Sequence, residues 1–133
     1  EDDDTKTKDV VIPENLYVIG TMNTADRSIG HIDYAIRRRF TFKDVKPNID
    51  IITEAKAKTL FQKVEELFSL EHLSPDFIKE DVMLGHSYFL NHKTQIKHRL
   101  EFEIIPILKE YVKDGILIGE DINLKIRNLS QYV

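Results

Sequence analysis

The sequence has no cysteine, no excess of basic residues and no long apolar run. Without cysteine the chain has no disulfide framework, no thiolate chemistry and no Cys-ligated zinc. No apolar run approaches the length of a membrane span, and no charged-then-apolar signal segment opens the chain. These absences predict a soluble, cytoplasmic protein that does not act at a membrane.

The charge balance argues against a broad nucleic-acid surface. The chain has 19 basic and 23 acidic residues, a net charge of -4, whereas binding along a nucleic-acid backbone usually needs clustered, excess Lys and Arg. A single local basic patch remains compatible with this balance. The composition is otherwise globular, and 133 residues are enough to form a real core.

The chain divides by character into three parts. Residues 1–10, EDDDTKTKDV, are charged and are expected to be disordered or a loop end. Because the chain opens with Glu1 in a polar run, we expect it to be an excised piece of a larger protein. Residues 11–46 predict a strand, a helix and a strand, and residues 47–133 predict a helical unit.

The first unit is predicted to be the end of an α/β domain. The nearly continuous apolar run from Leu16 to Met22 favours a strand buried on both faces of a parallel sheet. Ser28 is a good N-cap for a short helix from Ile29 to about Arg38. The stretch FTFKDV then alternates like a second strand.

The second unit is predicted to be helical. Apolar residues recur at helical spacing through ITEAKAKTLFQKVEELFSL, and Ser74-Pro75 predicts a short helix to about Lys79. A long helix is expected from about Thr94 to Lys113, with a kink at Pro106 and an end at Gly115. The last 18 residues predict a short strand or turn and a final helix.

The segment MNTADRSIGHIDYAIRRRF, residues 22–40, is the part most suggestive of a function. Asn23 follows the predicted buried strand, and ligands of open parallel sheets bind beyond the carboxyl ends of the strands. Its neutral amide offers a donor and an acceptor, so it can bond a phosphate oxygen and a water together. A side chain that orients water is one of the usual parts of a phosphoryl-transfer site.

Three consecutive arginines, Arg37 to Arg39, end the helix that follows. Some ten helical residues place them roughly 15 Å from Asn23, too far to serve the same site but suitable for reaching a neighbouring subunit. An arginine donated in trans to a transferring phosphate is worth about 10³ to 10⁵ in rate. From spacing alone, the simpler interpretation is a turn, a cap and arginines that complement the helix dipole.

A family resemblance favours the functional interpretation. The stretch NLYVIGTMNTADRSIGHIDYAIRRRF closely resembles the sensor-1 strand and arginine-finger helix of AAA+ ATPases, and MNTADRS resembles the signature of the McrB-type family. That family comprises the GTP-hydrolysing motors of modification-dependent restriction systems. A looser similarity, through GHSYF and EFEIIPILKEY, extends to its helical lid. The resemblance implies the C-terminal part of an AAA+ P-loop NTPase module, an α/β fragment plus an α-helical lid.

The resemblance also implies roles for the first residues of the motif. Asn23 would be the sensor-1 residue that helps to orient the attacking water, with Thr24 beside it in contact with the nucleotide. Asp26 would shape the catalytic site, and Arg27 the subunit interface. Asp33 lies at the usual acidic position of the following helix and would join that interface network.

The arginines match the places where arginine fingers occur in the family. Arg38 is the preferred finger, and Arg39 is the second candidate at the same catalytic position. Arg37 is expected to be a surface contact at the subunit interface.

The departures from the family pattern limit what this chain can do alone. None of the five glycines is followed by lysine, so no P-loop is present, and no apolar strand ends in Asp-Glu to hold magnesium. The parent protein would bind GTP, or ATP, with Mg²⁺, in a homo-oligomeric ring with sites between subunits. The resemblance implies DNA translocation or cleavage with a McrC-like nuclease, and DNA recognition by another domain. This chain by itself is expected to be inactive.

Two alternatives from different classes remain. One is an AAA+ ATPase of the MoxR-like or dynein-like branch that remodels protein, which the preference for guanine or adenine would distinguish. The other is a non-enzymatic helical interaction domain in which RRRF is a basic docking patch. A direct DNA-binding module ranks below both, because the net charge is negative.

Other candidate residues have simpler structural explanations. His86 and Ser87 lack an orienting acid nearby, so GHSYF is expected to be a turn that packs Tyr88 and Phe89. His92 and His98 have the wrong spacing for one helical face, and no metal site is predicted.

Overall fold

The computed structural model describes residues 12–22, 34–90 and 95–133. The following elements occur in chain order: α1 (Tyr34–Arg37), a 3₁₀ turn (Ile49–Ile51), α2 (Ala55–Glu66), α3 (Lys79–Val82), a second 3₁₀ turn (His86–Phe89), α4 (Ile96–Arg99), a π-helical segment (Leu100–Ile104), α5 (Ile105–Lys113), α6 (Ile122–Asn128) and a last 3₁₀ turn (Leu129–Tyr132). The described part of the chain is therefore mostly helical.

The predicted strand at Leu16–Met22 is not formed. Residues 15–22 have no regular secondary structure, and Tyr17 and Ile19 are 89% and 94% exposed. The segment FTFKDV, residues 40–45, also has no strand. A buried strand needs neighbours that take up its backbone hydrogen bonds, and within the described residues the β pairing is one isolated bridge, between Leu73 and Leu117.

Helix α2 contributes the central face of the core. Ala57, Leu60, Phe61 and Val64 are all buried and recur at helical spacing. The opposite face is exposed, and there Lys63 and Glu66 form an ion pair one helical turn apart. The predicted amphipathic helix is confirmed.

The short helix after Pro75 begins later than predicted. Phe77 N–H donates to the Ser74 carbonyl at 3.1 Å and closes a turn. Ile78 then has extended backbone angles, so the helical residues begin only at Lys79 and end at Val82. Pro75 thus lies in a turn rather than at a helix N-terminus.

The long helix is interrupted next to Pro106, where a kink was predicted. Between α4 and α5 the backbone becomes π-helical, and Ile105 N–H donates to the Leu100 carbonyl five residues earlier. Pro106 has no N–H to continue an α-helical pattern. The π segment changes the hydrogen-bond register at that point, as π-bulges commonly do.

Gly115 ends helix α5, as the sequence predicts. It has a φ of 71°, its N–H donates to Val112 O, and Ile116 N–H donates to Tyr111 O at 2.8 Å. This pair of bonds is a Schellman motif, which favours glycine because the left-handed region costs an L side chain energy.

The chain then turns back to the residues after α2. Ser74 N–H donates to Ile116 O, and Ile118 N–H donates to His72 O at 2.8 Å. These bonds join residues far apart in sequence, and α6 follows as the predicted final helix.

One apolar core joins the helical elements from residue 52 onward. Its buried members are Ile52, Ala57, Leu60, Phe61, Val64, Leu67, Phe68, Val82, Leu84, Phe89, Ile96, Leu100, Ile104, Leu108, Leu117, Ile122, Ile126 and Leu129. The described residues before Ile49 contribute nothing to it. In the ranges that the structure describes, no helix is long and apolar enough to cross a membrane.

Candidate functional site

The arginine segment lies on one short turn of helix and its continuation. Helix α1 is four residues long, and the N–H groups of Arg39 and Phe40 both donate to the Ile36 carbonyl, at 2.9 and 3.2 Å. The turn therefore continues beyond Arg37 and presents three successive arginines, all exposed.

Among the described residues, Arg37 has a contact partner that its two neighbours lack. Its guanidinium carbon lies 5.8 Å from the centroid of the Phe42 ring, within the range of a cation–π interaction. The Phe42 side chain is itself half-exposed.

Arg38 and Arg39 have no ion-pair or hydrogen-bond partner for their guanidinium groups among the described residues. A guanidinium is always charged and presents its donors in a planar fork that matches phosphate oxygens. Two such groups, adjacent and exposed, can bind an anion that approaches from outside this unit.

The remaining predicted site residues lie outside the described ranges. They are Asn23, Thr24, Asp26, Arg27 and Asp33. Their distances to the arginines are not described, so their roles stay predictions.

The GHSYF motif forms a structural turn, as predicted. His86–Phe89 is a 3₁₀ turn, and Phe89 is 1% exposed, with its ring edge-on to Phe61 at a centroid distance of 5.2 Å. Tyr88 packs partly buried against the same core. The apolar end of the motif anchors it to helix α2.

Arg99 holds this turn from the other side. Its Nη1 donates to the carbonyls of Ser87 and Leu90 at 2.9 and 3.1 Å, and its Nη2 forms an ion pair with Glu103 at 3.2 Å. One guanidinium thus bridges two carbonyls of the turn and a carboxylate on the long helix.

His86 contacts the segment that joins the N-terminal residues to the helical unit. The Asn48 backbone N–H donates to His86 Nδ1 at 3.2 Å. An imidazole nitrogen accepts only when it carries no proton, so this bond requires a neutral ring protonated at Nε2. The Asn48 side chain accepts in turn from Asp50 N–H at 2.9 Å and caps the first 3₁₀ turn.

A polar cluster around the buried side chain of His72 was missed by the sequence analysis. His72 is 1% exposed, and its Nε2 lies 2.6 Å from Lys125 Nζ and 3.3 Å from Asp121 Oδ1. Lys125 also pairs with Asp121 at 3.1 Å, and its hydrogen bond is the main reason that the pKa of Asp121 lies below its ordinary value.

The orientation of the His72 ring follows from these contacts. An ammonium group only donates, so Nε2 accepts from Lys125 and the proton is assigned to Nδ1. That buried Nδ1 has no hydrogen-bond partner in the described part of the chain, and the nearest carboxylate is Glu71, at 3.8 Å. No sequence signal pairs residues 72 and 125, because only the folded chain brings them together.

A shallow depression on helices α2 and α3 does not suit a phosphate. It is lined by Gln62, Lys63, Glu65, Glu66, Ser69 and Lys79. Lys63 pairs with Glu66 at 2.7 Å, and Lys79 with Glu65 at 3.0 Å, so both cations are already neutralised. Nor do His, Asp and Glu residues within the described ranges form a group of three or more that could hold a metal.

Comparison with known proteins matches the middle of the helical unit to a known domain. The family model described as the McrB α-helical lid domain matches residues 58–116. A curated relative, the type IV methyl-directed restriction enzyme EcoKMcrB subunit of Escherichia coli strain K12, is 36% identical over 122 residues. These two matches support a McrB-type fragment. The alignment covers 77% of this chain but 27% of the E. coli protein, so the chain spans about a quarter of that relative's length. No solved structure matches the chain significantly.

The McrB-type lid match coincides with the structural landmarks described above. It begins within α2, includes the GHSYF turn and the π-interrupted helix, and ends at Ile116, next to the Schellman glycine. Helix α6 lies beyond the match, yet Ile122 and Ile126 belong to the same core. Assignment of residues 47–133 to one lid subdomain stays a prediction.

Proposed function

We propose that this chain is part of a McrB-like AAA+ nucleoside triphosphatase of a restriction system. In this proposal the longer protein hydrolyses GTP in preference to ATP, with Mg²⁺, at sites between the subunits of a homo-oligomeric ring. The energy drives DNA translocation or cleavage with a McrC-like nuclease subunit, and another domain recognises the DNA. The McrB-type lid, shared with a named restriction-enzyme subunit, is the observation that carries the proposal.

The exposed arginines support a catalytic contact between subunits. Arg38 and Arg39 are exposed without a partner in the described ranges, whereas Arg37 lies over Phe42. A long cation without a partner in the described part of the chain is available to a phosphate supplied by another subunit. We therefore assign the finger role to Arg38, with Arg39 beside it, and an interface contact to Arg37.

The other half of the proposed site is the segment before helix α1. Asn23 would orient the attacking water and Thr24 would contact the nucleotide. Asp26 would shape the same site, and Arg27 and Asp33 would form the subunit contact. Because the sequence has no P-loop, this chain alone is proposed to bind nucleotide poorly and to hydrolyse none.

The test is GTP and ATP hydrolysis by the full-length protein and its variants. Arg38→Ala and Asn23→Ala are each expected to lower kcat by about 10³-fold or more, because both groups stabilise or align the phosphoryl transfer. A mixture of the two variants should recover part of the activity, since some interfaces then combine an intact Asn23 with an intact Arg38.

The control is Arg127→Ala, which removes another exposed arginine, near the end of α6. Its rate should match that of the unmodified protein. Preference for ATP would favour the MoxR-like branch. Absence of hydrolysis by the unmodified full-length protein, or full activity in both site variants, would refute the proposal and favour a helical interaction domain.

A further inference from the structure

We propose that His86 is a positioning residue. Its hydrogen bond with Asn48, which we call the latch, fixes the direction in which the chain leaves the lid towards the N-terminal unit. The contact is the hydrogen bond from Asn48 N–H to His86 Nδ1, 3.2 Å long and spanning 38 positions of sequence. The bond runs from the GHSYF turn of the lid to residues 41–48, the joining segment, which has no regular secondary structure and whose last two residues overlap the predicted start of the lid at residue 47.

The acceptor, His86, lies in a turn that is held in place by the core. Three residues after His86, Phe89 is buried against Phe61 of helix α2. Arg99 donates to the carbonyls of Ser87 and Leu90, which flank Phe89 in the sequence. The ring of His86 therefore belongs to a turn that cannot move without disturbing the core of the lid.

The donor, the Asn48 N–H, lies next to a 3₁₀ turn but makes few contacts with the rest of the structure. Asn48 caps the first 3₁₀ turn, through its side chain to Asp50 N–H, and four residues later Ile52 enters the core at 2% exposed. Asn48 itself is exposed, as are the described residues from Thr41 to Lys46. Among the hydrogen bonds and ion pairs of the described residues, the local Asn48 cap and the His86 bond join residues 41–48 to the lid, and of these two the His86 bond is the one that reaches a residue distant in sequence.

These two sides together give a releasable contact. An exposed donor can exchange the imidazole for water at small cost, because the net value of such a bond is modest. The segment is thus fixed to the lid while the bond is made and is free to change direction once it is broken. The lid itself is unaffected, because its core does not include Asn48.

The consequence for catalysis rests on the proposed function. In an NTPase built from a nucleotide unit and a lid, the direction of the joining segment decides how the two units meet around the nucleotide. Loss of the latch should raise KM for the nucleotide more than it changes kcat, because His86 acts on the lid position and not on the reacting phosphate.

The first test of the latch needs only this chain. NMR of the ¹⁵N-labelled protein should show a scalar coupling across the hydrogen bond, between the Asn48 backbone nitrogen and His86 Nδ1. The ring should be the neutral tautomer protonated at Nε2. Absence of the coupling, or a proton on Nδ1, would overturn the proposal even if every variant failed to fold.

Two substitutions then separate the acceptor from the bulk of the side chain. In His86→Leu the Asn48 amide should exchange with solvent about three- to tenfold faster. In His86→Asn an acceptor oxygen replaces Nδ1 at nearly the same reach, so exchange should stay near that of the unmodified chain. The matched control is His98→Leu, since His98 is exposed and stacks on Phe102. Equal exchange in His86→Leu and His98→Leu would refute the latch.

The effect on catalysis is tested by steady-state kinetics of the full-length protein. The KM for GTP should rise about three- to tenfold in His86→Leu and recover in His86→Asn. An equal fall of kcat in both variants would contradict a positioning role. If the unmodified protein hydrolyses no nucleotide, the proposed function fails, whereas the latch is still judged by the coupling and by amide exchange.

Discussion

Phe89 anchors the GHSYF turn in the apolar core. Phe89→Ala should therefore destabilise the whole helical unit. The side chain is 1% exposed and packs edge-on against Phe61 at a centroid distance of 5.2 Å. Truncation of a fully buried phenylalanine to alanine costs about 3 to 5 kcal/mol, because the transfer free energy is lost and a cavity remains. The edge-to-face pair accounts for about 0.5 to 1.5 kcal/mol of that loss.

The assay is thermal and urea denaturation followed by far-UV circular dichroism. For a chain of this size, each kcal/mol lowers Tm by about 4 °C, so Phe89→Ala should lower it by about 12 to 20 °C. The urea midpoint should fall without a change in slope, because the surface exposed on unfolding stays nearly the same.

The matched control is Phe102→Ala. Phe102 lies in the π-helical segment, is 60% exposed, and contacts His98 at a centroid distance of 4.4 Å. Its truncation should change stability by no more than about 0.5 kcal/mol. Equal losses for the two variants, or a loss below about 1 kcal/mol for Phe89→Ala, would refute the argument that the turn is anchored in the core.

Three further predictions concern single contacts or backbone angles of the helical unit. Arg99→Lys should cost about 1 to 3 kcal/mol in urea denaturation, because a lysine cannot bridge two carbonyls and a carboxylate as the planar fork does. Gly115→Ala should cost about 1 to 2 kcal/mol, because its φ of 71° is strained for an L side chain. Its control is Gly20→Ala, which should be near neutral, because no atom beyond the adjoining residues lies within 4 Å of the methyl group that alanine would add and Gly20 has no positive φ. Lys125→Met should raise the pKa of the Asp121 carboxyl, measured by NMR titration, because the hydrogen bond that lowers it is removed.

The pH dependence of the last variant follows from the sign of the shift. The pKa of Asp121 is lowered from 3.8 in the folded chain, so its contribution to stability is present above the unfolded pKa and is lost as pH falls through the folded value. Lys125→Met should flatten the pH dependence of stability in this acidic window. An unchanged Asp121 titration would contradict the ion-pair geometry.

For Arg99→Lys the control is Arg127→Lys, and an equal loss of stability in both variants would mean that the bridging contacts contribute nothing.

Local patterns were sufficient to predict a structural feature where that feature depends on residues close together in the sequence. The apolar spacing of Leu60 and Val64 predicted α2 because a helix buries one face. Gly115 predicted the end of α5 because a left-handed cap favours glycine. Pro106 predicted an interruption of the long helix because it lacks an N–H.

The same reasoning failed where a structure depends on a distant partner. The apolar run from Leu16 to Met22 predicted a buried strand, but side-chain pattern alone cannot supply the neighbouring strands that a sheet needs, and the described residues form none there. Pro75 predicted a helix start, but the chain uses that position for a turn.

The sequence by itself determined the helical character of the second half, the end of α5 at Gly115 and the resemblance to the McrB-type family. Each of these depends on periodicity, on backbone limits or on a contiguous motif. Only the tertiary structure decided that His72 is buried against Lys125, that Arg99 bridges two carbonyls and that His86 accepts from Asn48. Those contacts join groups that lie 9 to 53 positions apart in sequence. They form because the packing of apolar faces brings these polar groups within hydrogen-bonding distance of one another, which no local pattern in the sequence specifies.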